Sequence, residues 1–317
     1  MTFTAIAAIM GFLFTAVGMR FLIPSLIRFK FGQQVREDGP AHHLKKQGTP
    51  TMGGIAIVVG FFLAVLIFAW ISPEVMAVML ATVGFGFIGF LDDFIKIKKK
   101  RSLGLRAYQK IIGQLLISIA FVVFWQSLSS YSTELMIPFV IVTIDIGPFF
   151  PILVCLVFLS SANGANLTDG LDGLASGVTV IIAVFFLAFA IWGFGPHIAP
   201  AISAMVGALL GFLLYNSHPA KVYMGDTGSL ALGGFVAAVA LLLGMPLFLL
   251  IVAIIYVVES LSVIIQVGYF KLTKGKRFFK MAPIHHSFEL SGWPETKIVA
   301  LFMIITAIAC IIALIGF

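Results

Sequence analysis

The sequence predicts an all-α polytopic membrane protein with about ten transmembrane helices. Three observations carry that expectation. Of the 317 residues, 61% are hydrophobic and 10% charged, with a mean hydropathy of +1.12, whereas a soluble domain carries about 25% charged residues. Apolar runs recur near the length of about 20 residues that a helix needs to cross a bilayer, without the alternation of a membrane β-barrel. Lysine and arginine collect on every second connection, as the positive-inside rule requires.

The first span, residues 3–27, lies in the opening MTFTAIAAIMGFLFTAVGMR. No basic stretch precedes its apolar run, so it reads as a span rather than a cleaved signal. The others are expected at 52–71, 75–91, 108–128, 149–166, 174–192, 198–215, 229–243, 246–270 and 295–316. The third and eighth are short, which suits helices ending at a cavity. One set of connections holds Arg28, Lys30, Arg36, Lys45 and Lys46, then Lys96 to Lys110, Lys221, and Lys271 to Lys297. The opposite set, around 72–74, 129–148, 193–197 and 244–246, holds no lysine or arginine. Both termini are therefore expected outside, with an active-site cleft on the cytoplasmic face.

The outer segment LMIPFVIVTIDIGPFF, residues 135–150, is β-branched, contains prolines and is too short to span, so it suits a short β-hairpin. Cys155 and Cys310 lie in apolar segments and read as packed, reduced thiols. The net charge of +7 fits the positive-inside bias, and no nucleic-acid partner is expected. The chain, 1–317, reads as a single transmembrane domain.

Five aspartates fall at the basic ends of spans: Asp92, Asp93, Asp169, Asp172 and Asp226. Each would cost about 2.5–3.5 kcal/mol in the hydrocarbon, so they are solvated at the interface or share a wet cavity with cations. Their gathering in Gly-rich motifs on one side favours a cation-assisted site for an anionic substrate, and Mg2+ suits carboxylates plus substrate phosphates. In FIGFLDDFIKIKKKR, Asp92 and Asp93 are expected to end the third span, where the helix dipole disfavours them without compensation. Neighbours on a helix point about 100° apart. One is expected to face the reaction and the other a metal or Lys96.

In NGANLTDGLDGLASG, Asn166, Asp169 and Asp172 recur at intervals of three, so neighbours could share a helix face; calcium-loop spacing is absent. In NSHPAKVYMGDTGSLALGG, Asp226 precedes a helix whose amides would point toward an anion, or which Thr227 or Ser229 would cap. KKQGTPTMGG offers lysine and two threonines beside the membrane, a basic anchor when taken alone. In MAPIHHSFELSGWPE, His285 and His286 suit phosphate or sugar contact better than zinc, for which no third ligand is nearby. Glu259, inside the ninth span, is costly there and is expected to pair within the bundle or mark a break.

NLTDGLDGLA, MGDTGSLALGG, GTPTMGG, the DD of FLDDF and APIHHSFELSGW closely resemble the polyprenyl-phosphate N-acetylhexosamine 1-phosphate transferases. FELSGW after the histidines points to the branch acting on UDP-MurNAc-pentapeptide. The resemblance covers nearly the whole chain. It implies transfer of phospho-N-acetylmuramoyl-pentapeptide to undecaprenyl phosphate, giving lipid I and UMP. That Mg2+-dependent step belongs to peptidoglycan synthesis in the bacterial cytoplasmic membrane, and the resemblance suggests a homodimer. It further implies Asp226 as the magnesium aspartate and Asp92 and Asp93 as base or nucleophile, Asp93 being the first choice as base.

Asn166, Asp169 and Asp172 match the nucleotide and catalytic pocket, and Lys46, Thr51, Asn216 and Tyr223 the uridine side. Lys96 would lie near phosphate. His285 and His286 match two members of a three-histidine motif whose third position here is Ser287, and the resemblance implies His285 as catalytic and His286 as substrate-binding. Tyr108 stands where the family commonly has lysine, which leaves Lys110 as the basic contact. Direct attack and a two-step route through an aspartyl phosphate both remain open. So does an N-acetylglucosamine 1-phosphate transferase; a transporter predicts midplane polar groups and repeats that the sequence does not clearly display.

Overall fold

The computed structural model describes residues 2–29, 48–69, 72–99, 101, 103–128, 131–140 and 142–316. Its helices are α1 (Thr2–Arg28), α2 (Gly54–Phe68), α3 (Pro73–Lys98), α4 (Ala107–Gln126), α5 (Phe150–Thr168), α6 (Leu174–Phe189) and α7 (Ala199–Asn216). They continue with α8 (Gly225–Leu242), α9 (Leu249–Val252), α10 (Ile254–Leu272), α11 (Ile284–Glu289) and α12 (Glu295–Ile315). Among the described residues, nine helices are long and apolar enough to cross a membrane, and the 15-residue α2 is a shorter apolar one. These ten correspond in order to the ten expected segments, and the chain is an all-α polytopic membrane protein.

Three boundaries differ from expectation. Helix α8 starts at Gly225 rather than 229, so it is 18 residues long instead of short and Asp226 lies within its first turn rather than before it. The ninth segment divides: a 3₁₀ turn at 246–248 and α9 precede α10, with the break at Ala253, six residues before Glu259. Helix α3 runs to Lys98 instead of ending at residue 91. Ser72 caps its start by accepting from Val75 N at 3.3 Å, Pro73 follows, and Lys96 and Lys98 lie in its last turn. Cations there complement the negative end of the dipole.

The outer hairpin forms as antiparallel strands β1 (Glu134–Ile137) and β2 (Val142–Asp145), pairing Glu134 with Asp145 and Ile137 with Val142. Met136 N donates to Gly244 O, and Phe139 N to Gly316 O, each at 2.8 Å. The hairpin thereby ties the end of α8 to the end of α12. Helices α1 and α7 run parallel: Ser203 Oγ donates to Thr4 O, and Tyr215 Oη to Ala16 O. A Cβ on Gly207 or Gly211 would press on the α1 backbone at Ala8 and Phe12. Small residues of this kind let membrane helices approach backbone to backbone. Behind α8, Phe85 stacks on Phe158 at 5.2 Å and Phe121 meets Phe158 edge-on at 4.9 Å, a rigid support for the α3–α8 pair.

Candidate active site

Helices α3 and α8 meet through small residues. A Cβ on Gly89 would collide with the Asp226 carbonyl, and one on Gly86 would reach Ala231 at 3.2 Å. Asp93 lies four residues beyond Gly89, on the same helix face, so the close approach delivers it to the first turn of α8. There Asp93 Oδ1 accepts from Asp226 N at 3.2 Å, and Oδ2 from Thr227 N at 2.9 Å and Thr227 Oγ1 at 2.7 Å. Helix α8 begins at Gly225 and has no side-chain cap of its own. Its orphan amides, a property of any helix start, are taken by a carboxylate from another helix. Expected from the sequence to meet a bound anion or to be capped by Thr227 or Ser229, they meet Asp93.

Asp92 points elsewhere, as the 100° step requires. Its Oδ1 accepts from Leu105 N at 2.7 Å and lies 3.3 Å from Lys110 Nζ, while Oδ2 is 2.6 Å from Lys96 Nζ. Neither aspartate ends its helix; the extra turn is what carries Lys96 back over both. Asp226 is the centre of the group. Its Oδ2 accepts from Lys110 Nζ at 2.5 Å and Lys96 Nζ at 3.1 Å, and its Oδ1 from Asn166 Nδ2 at 3.0 Å. Asn166 Nδ2 also donates to Ser229 Oγ at 2.8 Å. The Asp226 side chain is 15% exposed, against 1% for Asp92 and 4% for Asp93, so it is the most open of the three.

One oxygen each from Asp92, Asp93 and Asp226 falls within 4.8 Å of the others. Three carboxylates against two ammonium groups leave one negative charge. An all-oxygen donor set of that charge suits a hard divalent cation, so the residues fit Mg2+.

Around this centre the remaining candidates divide. Segment 50–54 pairs with Tyr223 and Met224: Tyr223 N donates to Pro50 O at 2.8 Å, and Gly53 N to Tyr223 O at 2.9 Å. Thr51 Oγ1 and Asp93 Oδ2 both border Gly225, which sets Thr51 beside the acidic cluster. Lys46 lies outside the described residues, as do His42 and His43. Asn166, Asp169 and Asp172 do not share a helix face, because α5 stops at Thr168 and Gly173 turns the chain with φ +79°. Asp169, just past that helix end, is pushed up to about 8 by burial and then by the Asp226, Asp93 and Asp172 carboxylates. Asp172 belongs to a second group: its Oδ2 meets His218 Nδ1 at 3.1 Å and Ala220 N at 3.0 Å, and its N–H donates to Glu295 Oε1 at 2.6 Å.

Asn216 is buried and spent internally. Its Oδ1 accepts from Gly173 N at 3.1 Å, and its Nδ2 donates to Val222 O at 3.0 Å, joining the two Gly-rich loops. His285 is buried against Glu259, with Nδ1 3.0 Å from Oε1. His286 Nδ1 lies 2.7 Å from Glu289 Oε2. Ser287 fastens its own loop, its Oγ donating to Met281 O at 2.5 Å and accepting from Met281 N at 3.1 Å. His218, Glu295, Gly89 and Thr227 were not singled out as site residues from sequence. Pro294-Glu295 at a helix start was the one local signal available.

Comparison with known proteins places this geometry. The family model for glycosyl transferase family 4 matches residues 75–244, and phospho-N-acetylmuramoyl-pentapeptide-transferase signature 1 matches residues 46–58. The chain is 52% identical to the phospho-N-acetylmuramoyl-pentapeptide-transferase of Clostridioides difficile (strain 630), covering 100% of this chain and 97% of that protein. It is similarly 52% identical to that of Clostridium botulinum (strain Alaska E43 / Type E3), over 98% and 95%. For that of Acetivibrio thermocellus the identity is 50%, over 96% and 92%.

Proposed function

Because the chain belongs to the phospho-N-acetylmuramoyl-pentapeptide-transferase family, we propose that the group centred on Asp226 is where its two phosphorylated substrates meet. The reaction is transfer of phospho-N-acetylmuramoyl-pentapeptide from UDP-MurNAc-pentapeptide to undecaprenyl phosphate, giving lipid I and UMP. The observation that carries the site assignment is the convergence of Lys96, Lys110 and Asn166 on Asp226, the most open of the three clustered carboxylates.

In this reading a lipid-phosphate oxygen attacks the phosphorus bearing the sugar. The bond from that phosphorus to the bridging oxygen breaks, and UMP leaves with that oxygen. Lys96 and Lys110, both partly exposed, turn from Asp226 to the phosphate oxygens and meet the developing charge. Asp92, whose Oδ2 is then released from Lys96, takes the proton of the lipid phosphate. Asp93 is the weaker choice, because both of its oxygens are already engaged by α8. Asp226 would hold Mg2+, which when bound neutralises pyrophosphate charge and stabilises the leaving UMP. Thr51, Tyr223 and the loop bearing Asp169 and Asp172 are assigned to the nucleotide, with Lys46, His286 and Asn216 as further contacts or supports.

The same proposal puts the protein in the bacterial cytoplasmic membrane as one catalytic domain, residues 1–317, with this cleft facing the cytoplasm. It also includes a homodimer, for which the apolar surface of α1 is a candidate. Reconstituted protein supplied with undecaprenyl phosphate and Mg2+ is expected to release UMP from UDP-MurNAc-pentapeptide and not from UDP-N-acetylglucosamine. Equal release from both, or preference for the second, overturns the substrate assignment.

A further inference from the structure

Glu259, in the apolar helix α10, is fully buried, and a carboxylate there is costly unless it is paired. Its partner comes from a distant loop: His285 Nδ1 lies 3.0 Å from Glu259 Oε1, and His285 is only 1% exposed. The outer atom on each side, Glu259 Oε2 and His285 Nε2, is buried and finds no hydrogen-bond partner among the described residues. One proton held between Nδ1 and Oε1 satisfies both inner atoms. The bond made by one ring nitrogen sets which of the two bears hydrogen. An orphaned buried N–H is rarer than an orphaned acceptor, so the arrangement favours Nδ1–H with a bare lone pair on Nε2.

The ring also touches the chemistry's surroundings. A Cβ on Gly170 would collide with His285 Nε2 and lie 2.5 Å from Cε1, so the imidazole is wedged directly under Gly170. Gly170 follows Asp169 and leads, through a single residue, to Asp172. Contact without a hydrogen bond, on a glycine, is how a rigid side chain props a loop.

We infer that Glu259 is a positioning residue for the transfer reaction: it locks the His285 ring, and the ring holds the Asp169–Asp172 loop at the height the nucleotide requires. The inference rests on the assignment of that loop to the nucleotide. It gives the first histidine of the HHS motif a supporting role beneath the pocket rather than one facing the phosphates.

The test uses full-length protein in detergent with ¹⁵N-labelled histidine, the His285 signals being identified by their loss in His285→Gln. Wild type is expected to show Nδ1 protonated and Nε2 bare. Glu259→Gln keeps an acceptor, so it retains that tautomer and a KM for UDP-MurNAc-pentapeptide within about twofold. Glu259→Met frees the ring and raises this KM about tenfold, the scale of one positioning hydrogen bond, with kcat within about threefold. Gly170→Ala presses the same ring from the other side. It is expected to raise the same KM, and to combine with Glu259→Met less than additively.

A protonated Nε2 in wild type, an unchanged tautomer in Glu259→Met, or a loss confined to kcat overturns the inference. Additive KM effects in the double variant do so as well. If Glu259→Met does not fold, Gly170→Ala with unchanged KM overturns it alone. Should wild type release no UMP from this substrate, the functional assignment fails, while the histidine spectrum still decides the Glu259–His285 link.

Discussion

Asp92 and Asp93 are chemically identical neighbours with different work. Asp93 accepts two backbone N–H groups and one hydroxyl, and an asparagine there would turn an NH2 toward at least one donor. Each buried donor left unsatisfied costs about 1–3 kcal/mol, so Asp93→Asn is expected to lower the thermal midpoint by several degrees as well as abolish turnover. Asp92→Asn retains an acceptor for Leu105 N. It is expected to keep the wild-type midpoint and lose about a hundredfold or more in kcat, the usual weight of a general base. Thermal unfolding beside UMP release distinguishes the two. For Asp226, Mn2+ binding followed by electron paramagnetic resonance gives a reading independent of activity: Asp226→Asn should abolish tight binding, while His286→Asn leaves it unchanged.

Among elements, the contact between α3 and α8 matters most. Gly89→Ala would place a methyl group on the Asp226 backbone; overpacking of this kind costs about 1–3 kcal/mol. It is expected to cut turnover more than tenfold by moving Asp93 off the start of α8. Gly18→Ala, where a Cβ meets nothing within 4 Å, is the control. It is expected to be neutral or to gain up to about 1 kcal/mol from helix propensity, read as an unchanged or raised midpoint.

The ten apolar segments were legible because hydropathy and the lysine–arginine asymmetry report directly on the bilayer. The length of α3 was not: Asp92, Asp93 and Lys96 look like the polar end of a span, whereas the ion pairs of Lys96 and the cations of the last turn suit a helix wound through Lys98. The acidic motifs and Lys96 were legible as site material, since charge in so greasy a chain needs a reason. The division of labour among them depends on which glycine allows which backbone approach, as at Gly89 and Gly170, and spacing along one chain does not contain that. Nor does the sequence reveal that α5 ends at Thr168 and sends Asp169 and Asp172 to different neighbours.

At the scale of the whole molecule, the acidic cluster and the hairpin occupy opposite ends. The hairpin is tied to Gly244 and Gly316, whereas Thr4 meets Ser203 near the start of α7, the end of that helix away from Asn216. Thr4 and Gly316 therefore both lie at the end remote from Asp226. Cysteines introduced singly, after replacement of Cys155 and Cys310, test the orientation in intact cells with a membrane-impermeant maleimide. Thr133→Cys is expected to label and Lys276→Cys to label only after lysis; the reverse pattern inverts the topology.

The parallel seam between α1 and α7 bears on how the protein is made. Helix α1 has close seats on two helices, α2, where a Cβ on Gly60 would press on Thr15, and α7, which ends at Asn216. At about 5–20 residues per second of synthesis, α1 waits roughly 10–40 s for the second of these to exist. During that interval α2 already holds α1, the Thr15 hydroxyl donating to Ala56 O at 3.3 Å. Biogenesis of this transferase therefore runs from an early α1–α2 pair to a groove that closes only when the seventh helix arrives.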